Sequence, residues 1–411
     1  MGTGSAIGIE AIHSYIGPAF VDVRELFVAR GLDLSRFDNL MMRRKSVNLP
    51  CEDPVTNAVN AARPLLAELD EDARARIELL VVATESGLDL GKPISTYVHH
   101  HLGLGNACRS FEVKHACYGG TAALQTAAAM IATSPVPGAL ALVIATDAPG
   151  TAARGTTWEP AEGAGAVAML VGAPGRILRL DAGGSGFHTF EVLDTARPRA
   201  DVDVVNADAS LLAYMTCLEK SFEHYCQRVA GADLRKTFGH LVMHTPFPGM
   251  VRGGHRLLMR KKAAAGAAEI DRDFTERVAP SLEYCADTGN LFSGALYLAV
   301  CSLLDHARLD GPERVGLFSY GSGCASEFFS GVVGHEPPVR RGIDRQLADR
   351  YALTVADYDR ITGMADDRGF GTRDALFDTG PYAAAYERRM AGRGLLVLDR
   401  IDAYRRTYRW S

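Results

Sequence analysis

The chain of 411 residues contains no two cysteines spaced as CxxC, although it holds eight: Cys51, Cys108, Cys117, Cys217, Cys226, Cys285, Cys301 and Cys324. That absence argues against a zinc ribbon and a thioredoxin-like redox pair. The cysteines of so large a chain are then expected to be reduced and, for the most part, small buried hydrophobes. No apolar run is long enough to span a bilayer. The opening MGTGSAIGIEAIHSYIGPAF lacks the basic start and continuous apolar core of a signal peptide. Ala6 stands where a myristoylation motif needs Ser or Thr. Positive charge is not in excess either: 44 Lys and Arg face 49 Asp and Glu, a formal net charge of -5. That argues against a chain-wide nucleic-acid footprint and leaves any charged partner to a local patch. These absences predict a cytoplasmic protein that binds neither nucleic acid nor membrane.

What is present is an alternation of strands and helices. LLVVAT (Leu79–Thr84), ALALVIAT (Ala139–Thr146) and GAGAVAMLVG (Gly163–Gly172) read as buried strands, and the Ala-rich GGTAALQTAAAMIATS between the first two as a helix. Strand, helix, strand at this spacing predicts a βαβ unit and a parallel sheet, hence an α/β fold. The second half repeats the style. HLVMH (His240–His244) and VGLFSYGSG (Val315–Gly323) read as strands, and GNLFSGALYLAVCSLL (Gly289–Leu304) as a buried helix. The Pro-rich GHEPPVRRG then breaks the pattern. One helix is expected over DRQLADRYALTVADYDRI, and an edge strand at LLVLDRI. The length exceeds one ordinary core, and a boundary near Gly172–Gly175 divides residues 1–174 from 175–411.

Glu85, His244 and Gly321 each fall just past the carboxyl end of an expected strand, and Cys117 follows the extended stretch SFEVKHA. Sites gather at such ends in open α/β sheets. Cys117, in KHACYGGTAAL, lies where strand turns into helix. The unpaired amides and partial positive charge of a helix start favour the thiolate. Gly119 and Gly120 would let an acyl group approach the backbone, and the same amides could hold an oxyanion. A buried structural cysteine is the equal alternative. His244 is a general base, a donor to a substrate carbonyl, or a core histidine. Glu85, in partly apolar surroundings, would have a raised pKa suited to proton transfer, or it faces water as a loop carboxylate. Asn290 would cap the buried helix or bind a carbonyl. SYGSG (Ser319–Gly323) offers turn amides or is a plain tight turn.

Three other patterns carry less. His99, His100 and His101 are adjacent, so on a helix they diverge and do not converge on one metal ion. GTGSAIG (Gly2–Gly8) resembles a phosphate loop but has no strand before it. Arg252, Arg256 and Arg260 recur every four residues; on a helix they form a basic stripe that receives an acidic protein or simply meets solvent.

Taken together, ACYGGTAAL, HTPFPGMVR, GNLFSGALYLAV and FSYGSG resemble the signature segments of 3-hydroxy-3-methylglutaryl-CoA synthase, in matching order and spacing from Gly4 to the Arg-rich end. The resemblance implies a thiolase-like fold of five alternating layers, αβαβα, built from two pseudo-repeated halves, and a homodimer. It implies that Cys117 takes an acetyl group as a thioester, that Glu85 deprotonates the acetyl methyl, and that His244 holds the β-keto group attacked. Asn290 and Ser322 would place the acyl groups and Tyr118 would line the pocket. No metal or redox cofactor is implied; acyl groups would arrive on the phosphopantetheine of an acyl carrier protein or coenzyme A.

The departures favour one subgroup. The mevalonate-pathway enzymes usually carry a lysine after the histidine for coenzyme A phosphates, whereas this chain reads PFPGMVR, with Pro248 and Gly249. LPCEDPVTNAVNAARP and WEPAEGAGAVAML also look like the bacterial enzymes that install β-branches on polyketides from donor and acceptor acyl carrier proteins. The stripe at Arg252, Arg256 and Arg260 would suit an acidic carrier. A mevalonate-pathway synthase, a malonyl-decarboxylating condensing enzyme and a non-catalytic carrier-binding scaffold remain the alternatives; Glu85 at its strand end disfavours the second.

Overall fold

The structure is a computed structural model that describes residues 6–199, 202–334, 342–365 and 369–411. Nine strands join one sheet in the order His240–Met243, Glu313–Gly321, Ala325–Val333, Leu178–Thr189, Gly8–Ile16, Gly165–Gly172, Leu140–Asp147, Ile77–Ala83 and Arg109–Val113. Their pairing repeats. In the first set Ile77–Ala83 runs parallel to Leu140–Asp147, which pairs antiparallel with Gly165–Gly172, itself antiparallel to Gly8–Ile16. In the second, His240–Met243 runs parallel to Glu313–Gly321, antiparallel to Ala325–Val333, itself antiparallel to Leu178–Thr189. Arg109–Val113 extends the first set and forms an open edge. The two sets meet where Gly8 and Ile9 pair with Arg179 and Leu178.

These strands read as continuous apolar runs because both faces are covered. Alternate residues enter different cores. Leu79, Val81, Val242 and Leu317 pack with the helices Gly119–Ala132 and Ala295–His306 between the two sets. Leu80, Val82 and Leu142 face the outer helix Pro54–Ala67. Leu241 and Phe318 face Ala207–Arg228 and Pro248–Ala263 on the far side. Helices and strand sets thus alternate in five layers, each buried Leu, Val or Phe contributing about 1.5–3 kcal/mol. The fold is thiolase-like. Among the described residues no helix is long and apolar enough to cross a membrane.

Three expectations need correction. The single helix expected over residues 344–361 is interrupted: Ile343–Asp349 and Val355–Ala365 are helices, and Tyr351–Leu353 is a strand. That strand pairs with Ala19–Val21, next to Arg44–Val47. Tertiary pairing there outweighs helix propensity, and the buried Arg350 stacks on Phe20 and donates to Asp287 O at 2.8 Å. LLVLDRI is not an edge: Leu396–Asp402 lies between Ala375–Leu376 and Arg405–Trp410 in a separate sheet. The buried helix begins at Ala295 rather than near Gly289. Most of the Pro-rich break, residues 335–341, lies outside the described residues, as do Gly2–Ser5 of the GTGSAIG loop.

Candidate active site

Cys117 sits in a tight elbow between the strand Arg109–Val113 and the helix Gly119–Ala132. Ala116 takes a left-handed conformation, φ 41°, at a cost of about 1–2 kcal/mol. Tyr118 N donates to His115 O and Gly119 N to Ala116 O, both at 3.1 Å. Gly120 serves packing. A Cβ on Gly120 would stand 2.2 Å from Ser293 O and 3.0 Å from the Tyr297 ring. A Cβ on Gly321 would meet His115 O and Tyr118 N at 2.6 Å. Close contact from the second half therefore holds the elbow from two sides.

Glu85 stands two residues past Ile77–Ala83, and its Oε2 lies 3.9 Å from Cys117 Sγ. Asp147, the last residue of Leu140–Asp147 and fully buried, fixes the loop that carries it. Its Oδ1 accepts from Thr84 Oγ1 (3.0 Å), Glu85 N (2.9 Å), Ser86 N (3.1 Å) and Ser86 Oγ (2.9 Å). Its Oδ2 accepts from Ser293 N (3.1 Å) and Ser293 Oγ (2.6 Å). One carboxylate thus ties the Glu85 loop to the Asn290–Ser293 loop. Arg197 completes the surroundings, with Nη1 3.5 Å from Glu85 Oε1 and Nε 3.6 Å from Asp203 Oδ1.

The electrostatics overturn one expectation. Burial pushes the Cys117 thiol well above its ordinary range, Glu85 and Asp147 push it further, and the Asn290 side chain and Arg197 only partly oppose them. Burial first, and the nearby carboxylates after it, outweigh the helix start, so the resting group is a thiol and not a thiolate. Burial also raises Glu85 to about 8, against the pull of Arg197 and with help from Asp147, Glu162 and Asp203. The expectation of a raised Glu85 matches this direction.

The Asn290 side chain favours the thiolate of Cys117 over the thiol. Its Oδ1 accepts from Phe292 N at 2.8 Å, so it does not cap the helix, which starts five residues later. Its amide N–H groups are left for the sulfur. His244 follows its strand end as expected and is 1% exposed. Its backbone N donates to Phe318 O (2.7 Å), and its carbonyl accepts from Tyr214 OH (2.9 Å). Burial lowers its imidazole to about 3, so it is neutral, and Nδ1 has no hydrogen-bond partner among the described residues. No hydrogen bond links the His244 side chain to Cys117 or Glu85 among the described residues. It ends the strand beside Glu313–Gly321, and Gly321 packs on the elbow. Ser322 follows in that turn, half-buried. Tyr118 turns its hydroxyl away, donating to Glu327 at 2.9 Å.

Arg252, Arg256 and Arg260 are exposed along the helix Pro248–Ala263, and Arg252 pairs with Asp271 at 3.1 Å. Of the three adjacent histidines, His99 meets Gly105 O at 3.0 Å, while the His100 and His101 rings meet edge to face at 5.0 Å and His101 also packs on Tyr408. Among the described residues no group of three or more His, Cys, Asp and Glu is placed to hold a metal ion. Sequence reasoning passed over Asp147, Glu162, Arg197 and Asp203. Asp147 carries the same signal as Glu85, a carboxylate closing an apolar strand. Arg197 carries none, because its strand belongs to a separate short hairpin, Thr195–Arg199 with Val202–Val205.

Two family models match, hydroxymethylglutaryl-coenzyme A synthase N terminal over residues 4–175 and C terminal over residues 257–410. The chain is 45% identical to the polyketide biosynthesis 3-hydroxy-3-methylglutaryl-ACP synthase PksG of Bacillus subtilis, over 98% of this chain and 99% of that one. It is 34% identical to the hydroxymethylglutaryl-CoA synthase of Enterococcus faecalis, over 86% and 91%. Its structure superposes on the curacin biosynthetic pathway HMG synthase, solved in complex with apo donor-ACP. There the TM-score is 0.95 and the identity 46%, with 99% and 100% of the two chains covered. The chain belongs to the hydroxymethylglutaryl-CoA synthase family.

Proposed function

We propose that the protein is a carrier-dependent 3-hydroxy-3-methylglutaryl synthase of polyketide biosynthesis. It moves acetyl from a donor acyl carrier protein to the β-keto carbon of an intermediate on an acceptor carrier, leaving a β-hydroxy-β-carboxymethyl branch. The observation that carries this reading is Cys117 Sγ beside Glu85 Oε2, at 3.9 Å. That proximity supports a nucleophile and a base acting on the same acetyl group.

Cys117 Sγ attacks the donor thioester; the carbon–sulfur bond to pantetheine breaks, and the thiol proton ends on the released pantetheine. Asn290 supports the developing thiolate. Glu85 takes a proton from the acetyl methyl, and that carbon bonds to the β-keto carbon. The neutral His244 donates its N–H to the keto oxygen as charge develops there, and the oxygen then takes the proton held by Glu85. Water cleaves the Cys117 thioester, giving the carboxylate and the free thiol. Tyr118 and Ser322 flank the acyl groups. Every step runs on side chains of this chain, and the acyl groups bring their own phosphopantetheine.

Several observations support the carrier over coenzyme A. The relatives at 45% and 46% identity are named for carrier-dependent or curacin-pathway synthases. A Cβ on Gly249 would stand 1.7 Å from Asn39 O, so no lysine fits there. Arg256 and Arg260 make no ion pair with a described residue and lie open to an acidic carrier. We read the chain as two thiolase-like halves divided at residues 174 and 175. We also read it as a homodimer, in keeping with the open edge Arg109–Val113 beside the elbow. Eight free cysteines accord with the cytoplasm. The second reading, a coenzyme A-dependent synthase, draws on the 34% relative. Intact mass after brief incubation with acetyl carrier protein or acetyl-CoA, with Cys117→Ala as control, decides. Acetylation from the carrier alone supports the proposal, efficient acetylation from acetyl-CoA supports the second reading, and labelling that survives Cys117→Ala refutes both.

A further inference from the structure

We propose that Arg197 is a positioning residue for the condensation: its guanidinium, anchored on Asp203, favours the carboxylate form of Glu85 and turns one of its oxygens toward Cys117. The inference rests on the reading of Glu85 as the base.

The geometry divides the two oxygens of Glu85. Oε1 faces Arg197 Nη1 at 3.5 Å, and Oε2 faces Cys117 Sγ at 3.9 Å. A carboxylate is planar, so a cation on one oxygen fixes where the other points. The cation is itself held. Asp203, with a side chain 2% exposed, faces Arg197 Nε through Oδ1 at 3.6 Å and accepts the Trp158 indole N–H on Oδ2 at 3.0 Å. The Phe292 ring lies 5.8 Å from the guanidinium. The chain Trp158–Asp203–Arg197–Glu85 therefore reaches from the interior to the sulfur.

The charge count says why a cation is required. Four carboxylates act on this one guanidinium: Glu85, Glu162, Asp203 and Asp147. Asp147 accepts from six donors. Glu162 is buried, and burial raises it to about 7 against the pull of Lys45 first and of Arg197 second. Its backbone bridges to Asn290, whose side chain favours the Cys117 thiolate, which sets Glu162 on the flank of the site. The groups acting on Glu85 are thus Arg197 and Asp203 from the hairpin, Asp147 from the strand end, Glu162 from the loop and Cys117 from the elbow. Without Arg197, burial and like charge both favour the neutral acid, which takes no proton from carbon.

The test is a single turnover of pre-acetylated protein with acetoacetyl-pantetheine, its rate followed from about pH 6 to 9.5 for the native chain, Arg197→Met, Arg197→Gln, Arg197→Lys and Glu85→Gln. Arg197→Met and Arg197→Gln are expected to acetylate fully and to move the acidic limb up by about one pH unit, a roughly tenfold loss below it that closes at high pH. Arg197→Lys falls between them and the native profile. If either neutral variant acetylates but keeps its limb in place, or loses rate equally at every pH, the inference is overturned. If neither neutral variant acetylates, a native limb in Arg197→Lys overturns it. Condensation by Glu85→Gln would instead sink the assignment of Glu85 as base.

Discussion

Asp147→Asn isolates the carboxylate that joins the two halves of the site. An amide keeps one acceptor oxygen. Placed where Oδ1 stands, that oxygen still serves Thr84, Glu85 and Ser86. The amide nitrogen then faces Ser293. The Ser293 hydroxyl can turn to accept from it while keeping its bond to Ala83 O at 3.2 Å. The Ser293 backbone N–H cannot turn, and a buried unsatisfied donor costs about 1–3 kcal/mol. Loss of the charge weakens the remaining bonds, and relief of carboxylate burial offsets part of that, so the net loss is about 2–4 kcal/mol. At about 2.1 cal/mol/K per residue, 411 residues give about 0.9 kcal/mol per kelvin, hence a fall in Tm of about 2–5 °C. The catalytic effect should be larger. A shift of about 1 Å between Glu85 and the Asn290 loop costs about 100-fold in condensation. Calorimetry and single-turnover rates read both. Ser293→Ala added to Asp147→Asn should cost about 1 kcal/mol less than Ser293→Ala alone, because the hydroxyl then bonds a neutral amide rather than a buried carboxylate. A Tm within about 1 °C of the native value together with a rate within about threefold would show that this carboxylate anchors neither loop.

Glu85→Gln should still acetylate Cys117, because removing the charge lowers the thiol pKa, yet fail to condense; intact mass and product assay separate the steps, and loss of acetylation would refute the assignment. Gly120→Ala should destabilise by about 1–3 kcal/mol through the clash with Ser293 O, read as a lower Tm; an unchanged Tm would mean the helices separate at no cost. Arg256→Glu and Arg260→Glu should weaken binding of an acyl carrier protein severalfold at low salt and less at high salt. An affinity unchanged at both salt concentrations, measured by titration calorimetry, would return the stripe to a solvated face.

The buried strands were legible because a strand covered on both faces is an unbroken apolar run, and their ends located Glu85 and His244. The elbow at Cys117 was legible as a place but not in its chemistry. The thiol's state depends on Glu85 and Asp147, which only tertiary contact brings to it. Asn290 looked like a cap because the buried helix and the loop before it are equally apolar; the start at Ala295 is set by packing. Asp147 was within reach of the reasoning used for Glu85. Arg197 was not, since neither its short strand nor its partner Glu85 leaves a mark in the local pattern. Tyr351–Leu353 misled for the same reason: three residues joined to Ala19–Val21 carry no period of their own.

The doubled pairing pattern also bears on how the protein is made. The thiol and the carboxylate beside it come from the first set of strands, whereas His244, the amide that steadies the sulfur and the turn that presses on the elbow come from the second. Domains emerge from the ribosome amino end first. A chain stopped after the first set holds Cys117 and Glu85 but lacks Ser293 to fill Asp147 and Gly321 to close the bend. The surroundings of Cys117 are therefore complete only once residues through Gly321 have been made. A chain truncated before Gly321 would carry Cys117 and Glu85 without the contacts that hold their loops.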